Sequence, residues 1–438
     1  MAFLCGCAGH AAHTLEARRA LDAHQPERAL ELYNEALDVT SGEELPADVT
    51  GDNALLMLDR STILQALEQY DASSKNLQVA DKQIEMLDFS RSTAHEIGRY
   101  LFSDDVGPYK ARPYEKLFVN TLNMANYLAS GNLHGAKIEA RRLAVMQKYL
   151  SQVEDDPAQA LLGPGSYLAG FVFEKAGDAD EAVRYYDEAL RFSAYPSLDG
   201  VMATLASRTG YRSPRIQEIL SRAPGSIAGD QSGEILVIVS YGRVPALKAE
   251  RVPIGLALTL AAMYIGPEQQ RAARRMAAQG LVTWVNYPSL ESGPMSYARP
   301  TVSIDGSAVA LDAVTNVDAF VREAYARAKG QLVASAITRM VARGAVGAGL
   351  GAGAAKASDS GAVGMLLAIG AQVALTAADT PDTRSWATLP AEIALVRKRV
   401  PAGTHAVRIS AQGTVKEHTV EVAPSGFVVV NLTELSRH

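Results

Sequence analysis

Few residues of this 438-residue chain have the types and spacing to act together on another molecule. The densest polar-aromatic stretch is "YKARPYEK", with Tyr109, Lys110, Arg112, Tyr114, Glu115 and Lys116. Tyrosine and arginine combine large contact area with directional hydrogen bonds, so a loop of this kind reads as a recognition surface for a protein or peptide. The alternative is that Tyr114 and Glu115 pack and cap the helix that follows. Arg141 and Arg142, adjacent in "KIEARRLAVMQ", join the candidate partner-binding set. Catalytic constellations do not emerge. The histidines His10, His13, His24, His95, His134, His405, His418 and His438 form no HExxH and no Cys–His metal spacing. His405 and His418 read as exposed strand residues, with a facing pair across a hairpin as the alternative. Ser166 in "GPGSYLAG" lacks a GxSxG elbow. The acidic groups Asp104-Asp105 and Glu154-Asp155-Asp156 fall in expected loops, where carboxylates cap helices or solvate turns. The chain therefore reads as a non-enzyme with no cofactor and no metal. A hydrolase whose site assembles from distant residues is the alternative.

The two cysteines, Cys5 and Cys7, stand two positions apart at the start of the chain. They cannot staple a fold and do not make a four-ligand zinc site. "LCGC" resembles a bacterial lipobox: an apolar residue three before the modified cysteine, with small residues between. The resemblance implies that Cys7 becomes the acylated mature N-terminus and anchors the protein, each buried CH₂ adding about 0.8 kcal/mol of membrane affinity. Ala8-Gly9-His10-Ala11-Ala12 then serves as a short tether. Ala8 resembles an outer-membrane sorting residue, which gives a periplasm-facing protein. A secretory signal needs a basic segment and an apolar run of about 7–15 residues before its cleavage site. Only Met1-Ala2-Phe3-Leu4 precede the box, so the expectation is a start codon called too late or a trimmed chain. If the N-terminus shown is the true one, the protein is cytoplasmic.

The elements that would position these residues divide the chain by composition. Overall charge is −6 with 48% hydrophobic residues, which fits globular protein and argues against a nucleic-acid surface. Residues 13–225 repeat. Ala29, Tyr33 and Ala36 lie at 0, +4 and +7, and so do Ala182, Tyr186 and Ala189. Weaker copies begin at Ser73 (with Leu77 and Ala80) and Ala136 (with Ala140). This resembles the tetratricopeptide pattern, in which small residues let helices approach and an aromatic fills the groove. The intervals between copies are far from the regular period of about 34, so irregular helical hairpins are expected. A concave helical face would then hold an extended peptide or a partner helix.

On "RPYEKLFVNTLNMANYLASGNLHGAKIEARRLAVMQ", together with "GEILVIVSYGRVPALKAERVPI" and "DTRSWATLP", the chain resembles uncharacterised bacterial lipoproteins with tetratricopeptide-like repeats. The resemblance brings no catalytic residues.

After a Gly/Ser-rich linker the pattern changes. Residues 233–343 read as a mixed strand and helix region. "EILVIVSYG", "LVTWVNYP" and "TVSIDGSAVALDAV" are strands, the last turning at Asp305-Gly306. "IGLALTLAAMYI" fits helix or strand. Asn316 is a candidate N-cap for a long helix. Residues 344–381 are rich in Gly and Ala, with small residues spaced by four, and read as a helical hairpin that packs in soluble form or inserts in a membrane. Residues 382–438 read as a small β-sandwich-like module, with Val407, Ile409, Val420, Val422, Val428 and Val430 facing one core. Trp386 would dock this module on the helices, and Trp284 is a second packing residue. Residues 1–12 are the lipobox remnant and tether.

The fold expected is thus α+β. The function expected is a lipid-anchored envelope scaffold binding a protein partner, as a possible homo-oligomer. A membrane-inserting or channel-associated component, using the glycine-rich hairpin, is the alternative.

Overall fold

The structure is a computed structural model and describes residues 10–86, 109–151, 157–222, 232–278, 283–294, 296–357 and 381–438. One turn recurs through its N-terminal half. Among the described residues, four helical hairpins are joined by it: α2 (Leu15–Asp22) with α3 (Pro26–Ala36), α4 (Asp52–Ala66) with α5 (Tyr70–Gln83), α6 (Pro113–Ala129) with α7 (Leu133–Ser151), and α8 (Leu162–Lys175) with α9 (Ala179–Ala189). A short α1 (His10–His13) precedes them. At each connection a left-handed residue ends the first helix: His24, Glu68, Gly131 and Gly177, with φ of 55°, 61°, 73° and 80°. The amide of the next residue then reaches back to close the helix, Gln25 to Ala20, Gln69 to Leu64, Asn132 to Tyr127 and Asp178 to Phe173, at 2.7–2.9 Å. This is the Schellman closure of a helix end.

The small residues at 29, 73, 136 and 182 are then equivalent. Each donates its amide to the residue opening the second helix, Gln25, Gln69, Asn132 or Asp178. All four are fully buried. Their unequal spacing arises in the connections between hairpins, because the turn within each hairpin is constant. Tyr186 lies against Gly170, where any Cβ would meet its ring. Two further helices, α10 (Leu198–Arg208) and α11 (Pro214–Arg222), close the array. They are pinned by Asp187, which accepts from Tyr211, Ser213 and Arg215 at 2.6–3.0 Å.

The strands form two four-stranded sheets and a ribbon. Strand β3 (Gly233–Tyr241) pairs in parallel with β12 (Phe427–Glu434) and antiparallel with β9 (Glu392–Val400), which pairs with β8 (Val314–Asn316). The second sheet has the order β11 (Thr414–Val422), β10 (Gly403–Ala411), β6 (Thr301–Ile304), β7 (Ser307–Val309). Leu236, Ile238, Leu395 and Val429 face the helices, whereas Val237, Val239, Val396 and Val430 meet Val302, Val407, Ile409 and Val422 of the second sheet. The fold is α+β in three layers: helices, sheet, sheet.

β1 (Glu85–Met86) and β2 (Lys110–Ala111) make a minor parallel pair. The third unit is an arm. Strands β4 (Leu247–Pro253) and β5 (Trp284–Leu290) pair antiparallel, and α12 (Ile254–Leu260) and α13 (Pro267–Ala278) connect them. The 41-residue α14 (Val317–Ala357) packs first on the main core through Val321, Ala328 and Leu332, then on the arm through Val333 and Ile337.

Several expectations are met in detail. Asn316 caps α14 through Ala319 N at 2.7 Å. The β6–β7 hairpin turns on Asp305 and Gly306, both with positive φ as a type I′ turn requires. Trp386 is 1% exposed within the helical core. "IGLALTLAAMYI", which fitted helix or strand, is helical over Ile254–Leu260.

Other expectations need correction. Strands from 382–438 pair with strands from 233–316, so the two segments share sheets instead of standing apart. The tether ends early, since α1 starts at His10 and His10 is buried. Trp284 is 44% exposed and is no core residue. His405 is buried, opposite Val420, and bonds Asp305 at 2.7 Å; His418 sits opposite Val407, so the two histidines do not face each other.

The Gly/Ala-rich segment continues α14 without a break as far as Ala357. No described helix is long and apolar enough to cross a membrane. Cys5, Cys7, His95, Asp104-Asp105, Glu154-Asp155-Asp156 and residues 358–380 lie outside the described residues.

Two outcomes follow. Gly131→Ala and Gly177→Ala each cost about 1–2 kcal/mol in chemical denaturation, because the added Cβ meets nothing within 4 Å and the cost is conformational. Glu68→Gly changes stability in the opposite direction, less the loss of its pair with Lys416. Separately, hydrogen bonds to Asp305 and to the Pro401 carbonyl raise the His405 pKa. That contribution is fully present below pH about 6.5 and is lost as pH rises through the folded pKa. His405→Gln should flatten this part of a stability–pH profile.

Candidate functional site

The tyrosine–arginine stretch forms an internal clasp. Pro113 at the first turn of α6 fixes the chain entry, and Glu115 turns back to accept from the Arg112 amide at 2.7 Å. The same carboxylate accepts from Tyr109 Oη at 2.6 Å, from the Arg112 guanidinium at 3.0 Å and from the Trp386 amide at 3.2 Å. Arg112 also donates to the Arg384 carbonyl. Tyr109, Arg112, Tyr114 and Glu115 are buried, and Tyr114 packs edge-on against Phe320 of α14. Lys110 is half-buried, and Lys116 reaches Asp81 at 2.8 Å. These residues join α6 to the 381–391 segment, and the expected recognition loop is corrected to a joint. Burial first, then the Glu115 charge, drives the Tyr109 pKa well up, so it stays a neutral donor.

A second joint surrounds Asp59 of α4. Its fully buried carboxylate takes His10 Nε2 at 3.1 Å and the amide and hydroxyl of Thr388 at 2.9 and 3.0 Å. Beside it lies a cavity of about 300 Å³ between α1, α2, α3 and α4. Ala17, Leu32, Ala36 and Leu56 give it apolar walls, and His13, Glu16 and Glu35 give it a polar edge. Tyr33 lines it, with its hydroxyl buried near Asp59, and burial first, then the Asp59 charge, drives its pKa well up. A space of this size and lining can hold a small apolar group or a side chain.

A third joint ties α8 and α9 to the first sheet. Arg397 reaches Glu174 at 2.7 Å and Glu234 at 2.6 Å, Lys175 bonds both carboxylates, and Tyr186 donates to Glu174 at 2.6 Å. Burial opposes ionisation of Glu174, but the Arg397 and Lys175 charges outweigh it and hold the group at about 2. Asp312 accepts from the Ser197 amide and hydroxyl, and burial raises its pKa. Ser166 is buried and bonds Gln147 at 2.8 Å. Among the described residues no group of His, Cys, Asp and Glu could hold a metal ion.

Arg141 and Arg142 behave differently from the rest of their set. Both are exposed on α7. Its outer face presents His134, Ile138, Arg141, Val145 and Lys148 in a line spaced by four and three residues. Ile138 is 41% and Val145 68% exposed. The one carboxylate of the helix, Glu139, is buried against Asn120 and Arg142, and burial raises its pKa. The outer line is therefore basic and apolar without acid. Sequence reading marked only its two arginines. The signal for the rest was a second apolar line, Ile138 and Val145, set on the side opposite the buried Ala136 and Ala140.

No family model matches the chain, and no curated protein matches it by sequence.

The two halves of the candidate set should separate in mutagenesis. Arg112→Met leaves Glu115 buried without its charge partner and costs about 3–5 kcal/mol. Arg141→Ala changes stability by less than about 0.5 kcal/mol. Urea unfolding of both variants checks this.

Proposed function

We propose that the protein is a non-catalytic scaffold of the bacterial cell envelope, held by acyl chains on Cys7 at the outer membrane and facing the periplasm. It binds a protein partner on the outer face of α7. The observation that carries this reading is the exposed line from His134 to Lys148, basic and apolar, on a chain whose overall charge is −6. A complementary partner offers a helix or extended segment with acidic and apolar side chains. The inner side of the helical array is not free for this role. Helices α4 and α6 pack against β12, and Ala54–Ala66 is buried throughout. The proposed binding surface is thereby moved from the concave face expected from sequence to the exposed outer side of α7.

The anchor reading gains a geometric consequence. Helix α1 begins at His10, and only Ala8 and Gly9 separate it from Cys7. Three residues span about 10 Å at most. An acylated Cys7 would hold the folded body directly against the bilayer surface.

The test places a photo-crosslinking residue at Arg141 in cells expressing the chain with its native upstream region. One discrete adduct is expected, reduced at least tenfold by Ile138→Asp with Val145→Asp, while the circular dichroism of the variant stays unchanged. An adduct indifferent to that double change removes the α7 surface from the proposal. Mass spectrometry of the N-terminal peptide checks the anchor independently, a triacylated Cys7 being expected.

A further inference from the structure

The arm carries a surface that neither the helical array nor α7 explains. Its own core is small. α12 turns Ile254, Ala257 and Ala261 inward against Val285, Tyr287 and Ile337. Leu256 and Met263, seven residues apart, leave that core and are 50% and 86% exposed. Tyr264, whose ring lies against Gly330 of α14, is 41% exposed. Trp284 stands opposite Pro253 at the far end of the β4–β5 ribbon, next to the start of α12. Half of the exposed large apolar side chains among the described residues thus belong to the arm, along α12 from Trp284 at its start to Tyr264 beyond its end. That concentration separates them from the scattered surface apolars of any soluble protein.

Charge is segregated on the same unit. α13 buries Ala273 and exposes Arg271, Arg274 and Arg275 on the other side. Residues 247–290 hold five Lys and Arg against two Asp and Glu, and 317–357 hold six against two. The chain as a whole is nonetheless at −6, so the rest of it carries a net negative charge despite the basic face of α7. Tryptophan, tyrosine, methionine and leucine exposed on the same unit as an arginine cluster is the chemistry of a surface that sits at the level of lipid headgroups. The rings and thioether enter the acyl boundary while the guanidinium groups meet phosphate. An acidic body on a basic arm also fixes the direction of approach to an anionic surface, arm first.

We propose that the outer side of this arm, built from α12, α13 and the outer end of β5, docks peripherally on an anionic phospholipid surface. The contact needs no acylated cysteine. It supplies a second hold on a membrane beyond any anchor at Cys7, and it lies in the interface, as no described helix is long and apolar enough to cross.

The chain supplies its own reporter. Trp386 is 1% exposed and insensitive to vesicles, so a change in tryptophan emission on vesicle addition belongs to Trp284. The experiment uses the full chain with Cys7→Ser, which removes the anchor, so that failure of the anchor reading and failure of this one are separate results. Phosphatidylcholine vesicles containing phosphatidylglycerol should give a saturable blue shift and co-sedimentation, and phosphatidylcholine alone should give neither. Leu256→Ser with Met263→Ser should weaken binding at least tenfold, as should Arg271→Gln with Arg274→Gln and Arg275→Gln. High salt should release the wild-type chain. No shift with either vesicle overturns the proposal, as does binding that both variants leave unchanged. A shift given by polyglutamate but by no vesicle would overturn it in favour of an acidic polypeptide. Co-sedimentation of the variants covers any case in which the fluorescence of Trp284 is itself altered.

Discussion

Strand β3 is buried along its whole length, and the architecture is arranged to cover both of its faces. A strand reading Glu-Ile-Leu-Val-Ile-Val-Ser-Tyr after its first glycine has no polar side to give to water. One face therefore receives the first helices of the hairpins, and the other receives the second sheet. Covering a strand on two sides demands elements from distant parts of the chain. The helices come from before residue 225, the pairing strands β9 and β12 from after residue 391, and the covering sheet from both middle and end. The single carboxylate of β3, Glu234, fixes where Arg397 must stand, and Arg397 in turn fixes α8 and α9 through Glu174. Burying these charges costs desolvation that only a complete set of partners offsets.

The same logic explains why polar residues cluster where they do. The 381–391 segment has no regular structure of its own. It is held by Thr388 on Asp59, by Trp386 on Glu115, by Arg384 on Asp382 and Asp52, and by Val317 on the Ala391 carbonyl. Two of these contacts reach α4, one reaches α6 and one reaches the start of α14, so this strip fastens the three helices to one another. A clasp of this type uses the residues that a recognition loop would use, because both tasks need bidentate hydrogen bonds on large flat side chains. Composition alone could not distinguish partners within the chain from partners outside it.

Legibility in the sequence followed the range of the interactions involved. The local turns at Gly131, Gly177 and Asp305-Gly306 and the cap at Asn316 were readable, since each acts within a few residues. The repeat register was readable too, because Ala29, Ser73, Ala136 and Ala182 face the same neighbour in each hairpin. The left-handed His24 and Glu68 were not, as residues other than glycine seldom adopt that conformation and the surrounding closure imposes it. The parallel pairing of β12 with β3 and the Asp305–His405 bond join residues about 190 and 100 positions apart and leave no local trace. In the candidate site, Arg141 and Arg142 were placed on the surface and Tyr109 to Glu115 were not, since exposure is decided by what packs above a helix.

The place of β12 has a consequence for the order in which the chain is made. The helical array emerges first, and the inner side of α4 is apolar from Ala54 to Leu58. Its cover includes β12, Phe427–Glu434, whose parallel partner β3 emerged nearly two hundred residues earlier. A nascent chain thus holds an uncovered apolar slab until β12 has been made. Strand β12 thus holds a place that no earlier part of the chain can fill, and its arrival joins the oldest helices to the sheet in one step.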